Sequence, residues 1–123
     1  MGLILVVDDH KDTRNFMGKL LKQWGYRALE AETGEAGLAL LAGEEKPDLV
    51  IVDGMMPGIN GVEFIRLMRA DETTATIPAI LYTAIADHAF TDNALEKGAS
   101  EIWIKLVIKP EQIRERVGHY VKK

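Results

Sequence analysis

Two uninterrupted apolar runs, each ending in aspartate, constrain this chain more than anything else in it. Leu3-Ile4-Leu5-Val6-Val7 runs into Asp8-Asp9, and the segment Asp48 to Val52, introduced by Pro47, delivers Asp53 into a glycine-containing loop. Strands without polar alternation are buried on both faces, as in parallel sheets covered by helices on either side. Two further runs, Ala79-Ile80-Leu81-Tyr82 and Ile102-Trp103-Ile104, end in Thr83-Ala84 and Lys105. Tyr26 to Ala31 is read as the remaining strand, placed by its position between helical segments more than by composition.

Helical spacing fills the gaps. From Asp12 to Trp24 the residues Phe16, Met17, Leu20, Leu21 and Trp24 form one stripe, and Gly25 follows as a stop. A second helix, Thr33 to Leu41, takes Thr33 as its cap; a third, Val62 to Arg69, aligns Val62, Ile65 and Leu67 or Met68. Asp87 to Lys97 stops at Gly98, and Pro110 opens a last helix with Ile113, Val117 and Val121 at i, i+4 spacing. Strand then helix, five times over, predicts a doubly wound α/β fold: a five-stranded parallel sheet with five helices, flavodoxin-like, with right-handed crossovers. With 123 residues and 47% hydrophobic content, one compact domain over residues 1–123 is expected.

Composition narrows the function. With no cysteine there is no disulfide framework, thiolate metal site or thiol nucleophile, which suits the cytoplasm. No basic leader or membrane-length apolar stretch is seen, so no membrane association is expected. The net charge of -4 is unevenly spread, with six Lys/Arg against three Asp/Glu from Gly98 onward. A solvated last helix accounts for that basicity, and no direct nucleic-acid contact is expected, because such a surface needs a denser patch with stacking aromatics.

In a doubly wound sheet the ligand site lies at the carboxyl ends of the strands, near the point where strand order reverses. Those ends hold Asp8, Asp9, Asp53, Thr83 and Lys105. Carboxylates are the hard ligands Mg²⁺ prefers, and a cation and a lysine both relieve the repulsion among three of them. An aspartate can also act as a nucleophile and form an acyl phosphate, with metal and ammonium balancing charge on the phosphoryl oxygens and a threonine hydroxyl donating to one of them. His10, His88 and His119 are too scattered for a zinc site, and His10 reads as an exposed loop residue. The Gly58-Ile59-Asn60-Gly61 loop lacks the Lys-Ser/Thr ending of a nucleotide-binding P-loop.

Four separated pieces together resemble the receiver domain of two-component response regulators across essentially the whole chain. They are Val6-Val7-Asp8-Asp9, the stretch Asp53-Gly54-Met55-Met56-Pro57-Gly58-Ile59-Asn60-Gly61, Tyr82-Thr83-Ala84, and Gly98-Ala99 followed at receiver spacing by Lys105. The resemblance implies that Asp53 is a phosphoacceptor, served by a sensor histidine kinase or phosphotransfer protein, or by a small phosphodonor. It implies Mg²⁺ (or Mn²⁺) held by Asp9, Asp53 and the backbone carbonyl of Met55, with Asp8 acting largely through water. Thr83 would then move toward the phosphoryl group and reshape the surface of the fourth helix, fifth strand and fifth helix for an output partner that the sequence leaves unspecified. Such a domain is a switch, not a turnover enzyme. A metal-dependent phosphohydrolase would need a general acid where Met55 stands, and a receiver-like adaptor would act without being phosphorylated.

The chain departs from the family's pattern in two places. Lys105 is followed by Leu106 instead of proline, and a Lys-Pro pair comes only at Lys109-Pro110. Counting from Gly98-Ala99 favours Lys105, since Lys109 would need four more residues in the fifth strand. Without the proline, the cis peptide common after this lysine is in doubt. Ile102, beside Trp103, stands where the family often carries a rotating tyrosine or phenylalanine. Met55 and Ile85, flanking the acceptor site, offer no base to assist hydrolysis.

Overall fold

A computed structural model describes residues 2–122. Its strands are β1 (Leu3–Val7), β2 (Arg27–Ala31), β3 (Leu49–Asp53), β4 (Ala79–Thr83) and β5 (Glu101–Ile104). They alternate with α1 (Lys11–Gln23), α2 (Gly34–Leu41), α3 (Gly61–Ala70), α4 (His88–Glu96) and α5 (Pro110–Tyr120). All pairings are parallel, in the order β2-β1-β3-β4-β5. The doubly wound sheet expected from the alternation is the one observed.

The apolar runs of β1, β3 and β4 are buried along their whole length because each feeds two cores. Leu5, Val7, Val50, Val52, Ala79 and Leu81 face one cluster with Phe64, Ile65 and Met68 of α3. Ile4, Val6, Leu49, Ile51, Ile80 and Tyr82 face the other, closed by Met17 and Leu21 of α1 and Ile113 and Val117 of α5. Period-two alternation thus sends successive side chains into opposite layers, both apolar. Edge strand β2 is only partly buried, which explains its weak sequence signal.

Local chemistry sets the helix ends. Thr33, Asn60 and Asp87 accept backbone N–H groups of Ala36, Glu63 and Phe90 at 3.0, 2.9 and 3.2 Å. Gly25 and Gly98 follow α1 and α4 with φ of 91° and 119°, a region that glycine enters without steric cost. Phe16 corrects the predicted stripe of α1: it is 47% exposed, while Met17 and Leu21 carry the packing. In α3 it is Met68, not Leu67, that is fully buried.

After β5 the chain turns sharply. The N–H groups of Val107 and Ile108 both donate to the carbonyl of Ile104, and Leu106 adopts φ 69° with its side chain fully exposed. No cis peptide occurs among the described residues.

Candidate functional site

Strand order places the site. β1 leads through α1 to β2 on one side, and the chain then crosses back to β3 on the other, so the order reverses between β1 and β3. Val7 is paired with Val52, which brings Asp8 and Asp53 out side by side at this crevice. β5 contributes Lys105, one residue past the Thr83–Ile104 pair, with its N–H donating to the Thr83 carbonyl at 2.8 Å.

The side chains converge. Lys105 Nζ lies 3.0 Å from Asp8 Oδ2 and 3.3 Å from Asp53 Oδ1. Asp8 is buried and also accepts the His10 N–H at 2.9 Å on Oδ1, while its main-chain carbonyl accepts Arg14 Nη1 at 2.9 Å. Asp53, only 4% exposed, accepts the Met55 N–H on Oδ1 at 3.3 Å. Its Oδ2, like Asp9 Oδ1, is buried without a hydrogen bond. Two orphaned anionic oxygens in one crevice are costly unless something positive faces them.

Burial pushes the Asp53 carboxyl up to about 6, the charge of Asp8 adding to the shift and Lys105 opposing it. Burial disfavours the Lys105 ammonium, but its hydrogen bond to Asp8 and the charges of Asp53 and Asp8 outweigh that, and its pKa is raised. Lys105 therefore stays charged, and Asp53 is largely ionised at neutral pH. The ammonium also lies 5.3 Å from the Tyr82 ring, which packs at 83° to the Trp103 ring.

Thr83 is fully buried at the end of β4, and its Oγ1 accepts the Ile85 N–H at 3.1 Å. It sits against the loop after Asp53: a Cβ on Gly54 would come within 2.7 Å of Thr83 Oγ1. A Cβ on Gly61 would collide with the Asp53 carbonyl, so these two glycines let the loop fold back past the crevice. Met55 points its side chain outward, 53% exposed. Beside the acidic residues opens a cavity of about 520 Å³ lined by Phe16, Tyr82, Ala84 and Leu106 among others.

Asp8, Asp9, Asp53 and Lys105 thus share one cluster, with Thr83 and Met55 at its rim. Sequence reasoning missed His10. Its side chain is exposed, as expected of a loop residue, yet Nδ1 stands 3.1 Å from Asp9 Oδ1, 3.2 Å from Asp8 Oδ1 and 3.6 Å from Asp53 Oδ2. The signal was its position directly after Asp8-Asp9; the turn that folds it back, closed by its N–H on Asp8, was not visible. One ligand atom from each of Asp8, Asp9, His10 and Asp53 lies within 4.8 Å of the others. The hard oxygen donors and the two orphaned atoms fit a divalent cation such as Mg²⁺ or Mn²⁺.

Comparison with known proteins bears on the family and the fold. The family model of the response regulator receiver domain matches residues 4–118. The phosphate regulon transcriptional regulatory protein PhoB of Pseudomonas aeruginosa is 37% identical over 115 residues, covering 94% of this chain and 48% of that protein. Protein PilH of the same organism is 41% identical over 83 residues, 68% of each chain. The chain therefore spans about half the length of PhoB. Among solved structures, the signal receiver domain of a histidine kinase from Syntrophus aciditrophicus superposes with a TM-score of 0.89 at 28% identity, covering 100% of this chain and 94% of that one. Chemotaxis protein CheY4 of Vibrio cholerae shares the fold, with a TM-score of 0.90 at 24% identity over 98% of this chain and 99% of its own.

Proposed function

The chain belongs to the response regulator receiver family, and from that premise we propose that Asp53 is its phosphoacceptor, charged in a Mg²⁺- or Mn²⁺-dependent reaction by the phosphohistidine of a sensor histidine kinase or phosphotransfer protein. The observation that carries this reading is the buried Asp53 Oδ2, which accepts no hydrogen bond, beside two more carboxylates and a paired lysine. Residues 1–123 act as one receiver domain, and a cysteine-free chain suits the reducing cytoplasm in which we place the exchange.

A carboxylate oxygen of Asp53 attacks the phosphorus, the phosphorus–nitrogen bond of the donor breaks, and its electron pair returns to the donor's imidazole. An acyl phosphate results. Asp8, Asp9, Asp53 and the Met55 carbonyl would hold the cation, which when bound supplies positive charge to the phosphoryl oxygens. Lys105 balances the same charge from the opposite side of Asp53, already anchored by Asp8. Thr83 can release the Ile85 N–H and offer its hydroxyl to the new group, drawing the loop after β4 with it. Met55 and Ile85 supply no base, so hydrolysis of the acyl phosphate receives no acid–base help from them. Output then runs through the α4–β5–α5 surface to a partner.

Intact mass after incubation with Mg²⁺ and acetyl phosphate tests this. One phosphoryl group should appear, disappear in Asp53→Asn and fall sharply in Lys105→Ala. An unchanged mass in the parent chain would instead favour an adaptor that binds partners without phosphorylation.

A further inference from the structure

His10 stands where a further protein ligand would stand. Donor atoms sharing a cation at about 2.1 Å lie about 3.0 Å apart at octahedral angles and about 3.4 Å apart at tetrahedral ones. His10 Nδ1 is 3.1, 3.2 and 3.6 Å from one oxygen each of Asp9, Asp8 and Asp53, and the Asp8 contact is a hydrogen bond that coordination to an ion would replace. The Asp53 oxygen on that side is the buried one with no hydrogen bond, and Asp9 Oδ1 is in the same condition. The His10 backbone is tied to Asp8 through its own N–H, which turns the ring toward the crevice. At 64% exposure the ring is not wedged by core packing, so small adjustments toward an ion meet little resistance.

We propose that His10 donates Nδ1 to the cation site and makes it a mixed nitrogen–oxygen site, one that favours first-row transition ions such as Co²⁺ over Mg²⁺. This inference rests on the acidic cluster being the cation site. Carboxylate and carbonyl oxygens alone suit Mg²⁺ and Mn²⁺, whereas imidazole shifts preference toward cobalt, nickel and zinc. The acceptor Asp53 would then be served by a wider range of ions than its carboxylates alone select. His10 here is a positioning residue for the ion and takes no part in bond-making.

The competing account is that the ring is an imidazolium filling the crevice as a counter-charge. The two differ in sign: a ligand lost in His10→Ala weakens transition-ion binding, whereas a competing charge lost in the same variant tightens every cation. The experiment titrates the intact chain separately with Co²⁺ and Mg²⁺ by calorimetry and records the proton NMR spectrum of the Co²⁺ form. A coordinated imidazole there gives a strongly shifted, exchangeable ring N–H resonance. The parent should show that resonance, His10→Ala should lack it, and the ratio of the Mg²⁺ to the Co²⁺ dissociation constant should fall at least tenfold. Asp53→Asn should weaken both ions. An unchanged ratio, or tighter binding of both ions in His10→Ala, would overturn the proposal while leaving the acidic site intact. If the parent bound neither ion, the acidic-site reading would itself fall.

Discussion

Neutralising Asp53 should stabilise the protein, with a pH dependence set by its surroundings. Burial and the charge of Asp8 raise this carboxyl from 3.8 to about 6 in the folded chain. A carboxyl with a raised folded pKa holds its proton more tightly in the native state. Its favourable contribution is therefore complete below about 3.8 and lost as pH rises through about 6. A gap of roughly 2 units at 1.36 kcal/mol per unit gives a deficit of about 3 kcal/mol at pH 7. Asp53→Asn keeps the shape and removes the charge, and its amide oxygen can still accept from Lys105 and the Met55 N–H. A gain of about 2 kcal/mol is expected at pH 7 in the presence of a chelator, shrinking toward zero near pH 4. Urea unfolding of both chains from pH 4 to 7.5 measures this as a shift in midpoint at constant slope. An Asn variant less stable than the parent at pH 7, or a difference that does not change with pH, would refute the reasoning.

Lys105→Ala should act in the opposite direction. It strips the ammonium from two buried carboxylates and should cost about 3 kcal/mol in chelator by urea unfolding, with Mg²⁺ recovering part of the loss. Gly54→Ala should cost about 1–3 kcal/mol and slow phosphorylation by acetyl phosphate, because the added Cβ falls 2.7 Å from Thr83 Oγ1 and 2.9 Å from its Cβ. Glu101 offers an acid-range test: burial works against its charge, but hydrogen bonds from Arg116, Tyr120 and Trp103 hold its carboxyl down at about 2. The stability it contributes is present above 4.5 and lost as pH falls through about 2, so Glu101→Gln should be less stable at neutral pH and lose less on acidification, as followed by circular dichroism.

Much of this was legible in the sequence, for physical reasons. Strands buried on both faces announce themselves as unbroken apolar runs, and β1, β3 and β4 were plain. So were Asp8, Asp53 and Thr83, because residues that end such strands share one edge. β2 was faint because it is half-exposed, and Phe16 was misplaced because periodicity marks a stripe without saying where its margin lies. Lys105 rather than Lys109 reaches the carboxylates, as the spacing from Gly98 implied. Trp103 is buried against Tyr82, while Ile102, one residue earlier, faces the other layer, so the tryptophan does not occupy the position left by the missing aromatic. The His10 ring was beyond reach, since its place depends on a turn that composition does not encode.

The left-handed backbone at Leu106 limits which sequences this loop can accept. Proline holds φ near -65°, so placing the family's usual residue there would require a rotation of about 130°. That rotation would dismantle the turn in which Val107 and Ile108 share the Ile104 carbonyl. The absence of proline after Lys105 is thus a property of the whole segment from Lys105 to Lys109. Glycine or asparagine fits this backbone at position 106, and an evolutionary path back to the commoner loop has to rebuild several residues together, not exchange one.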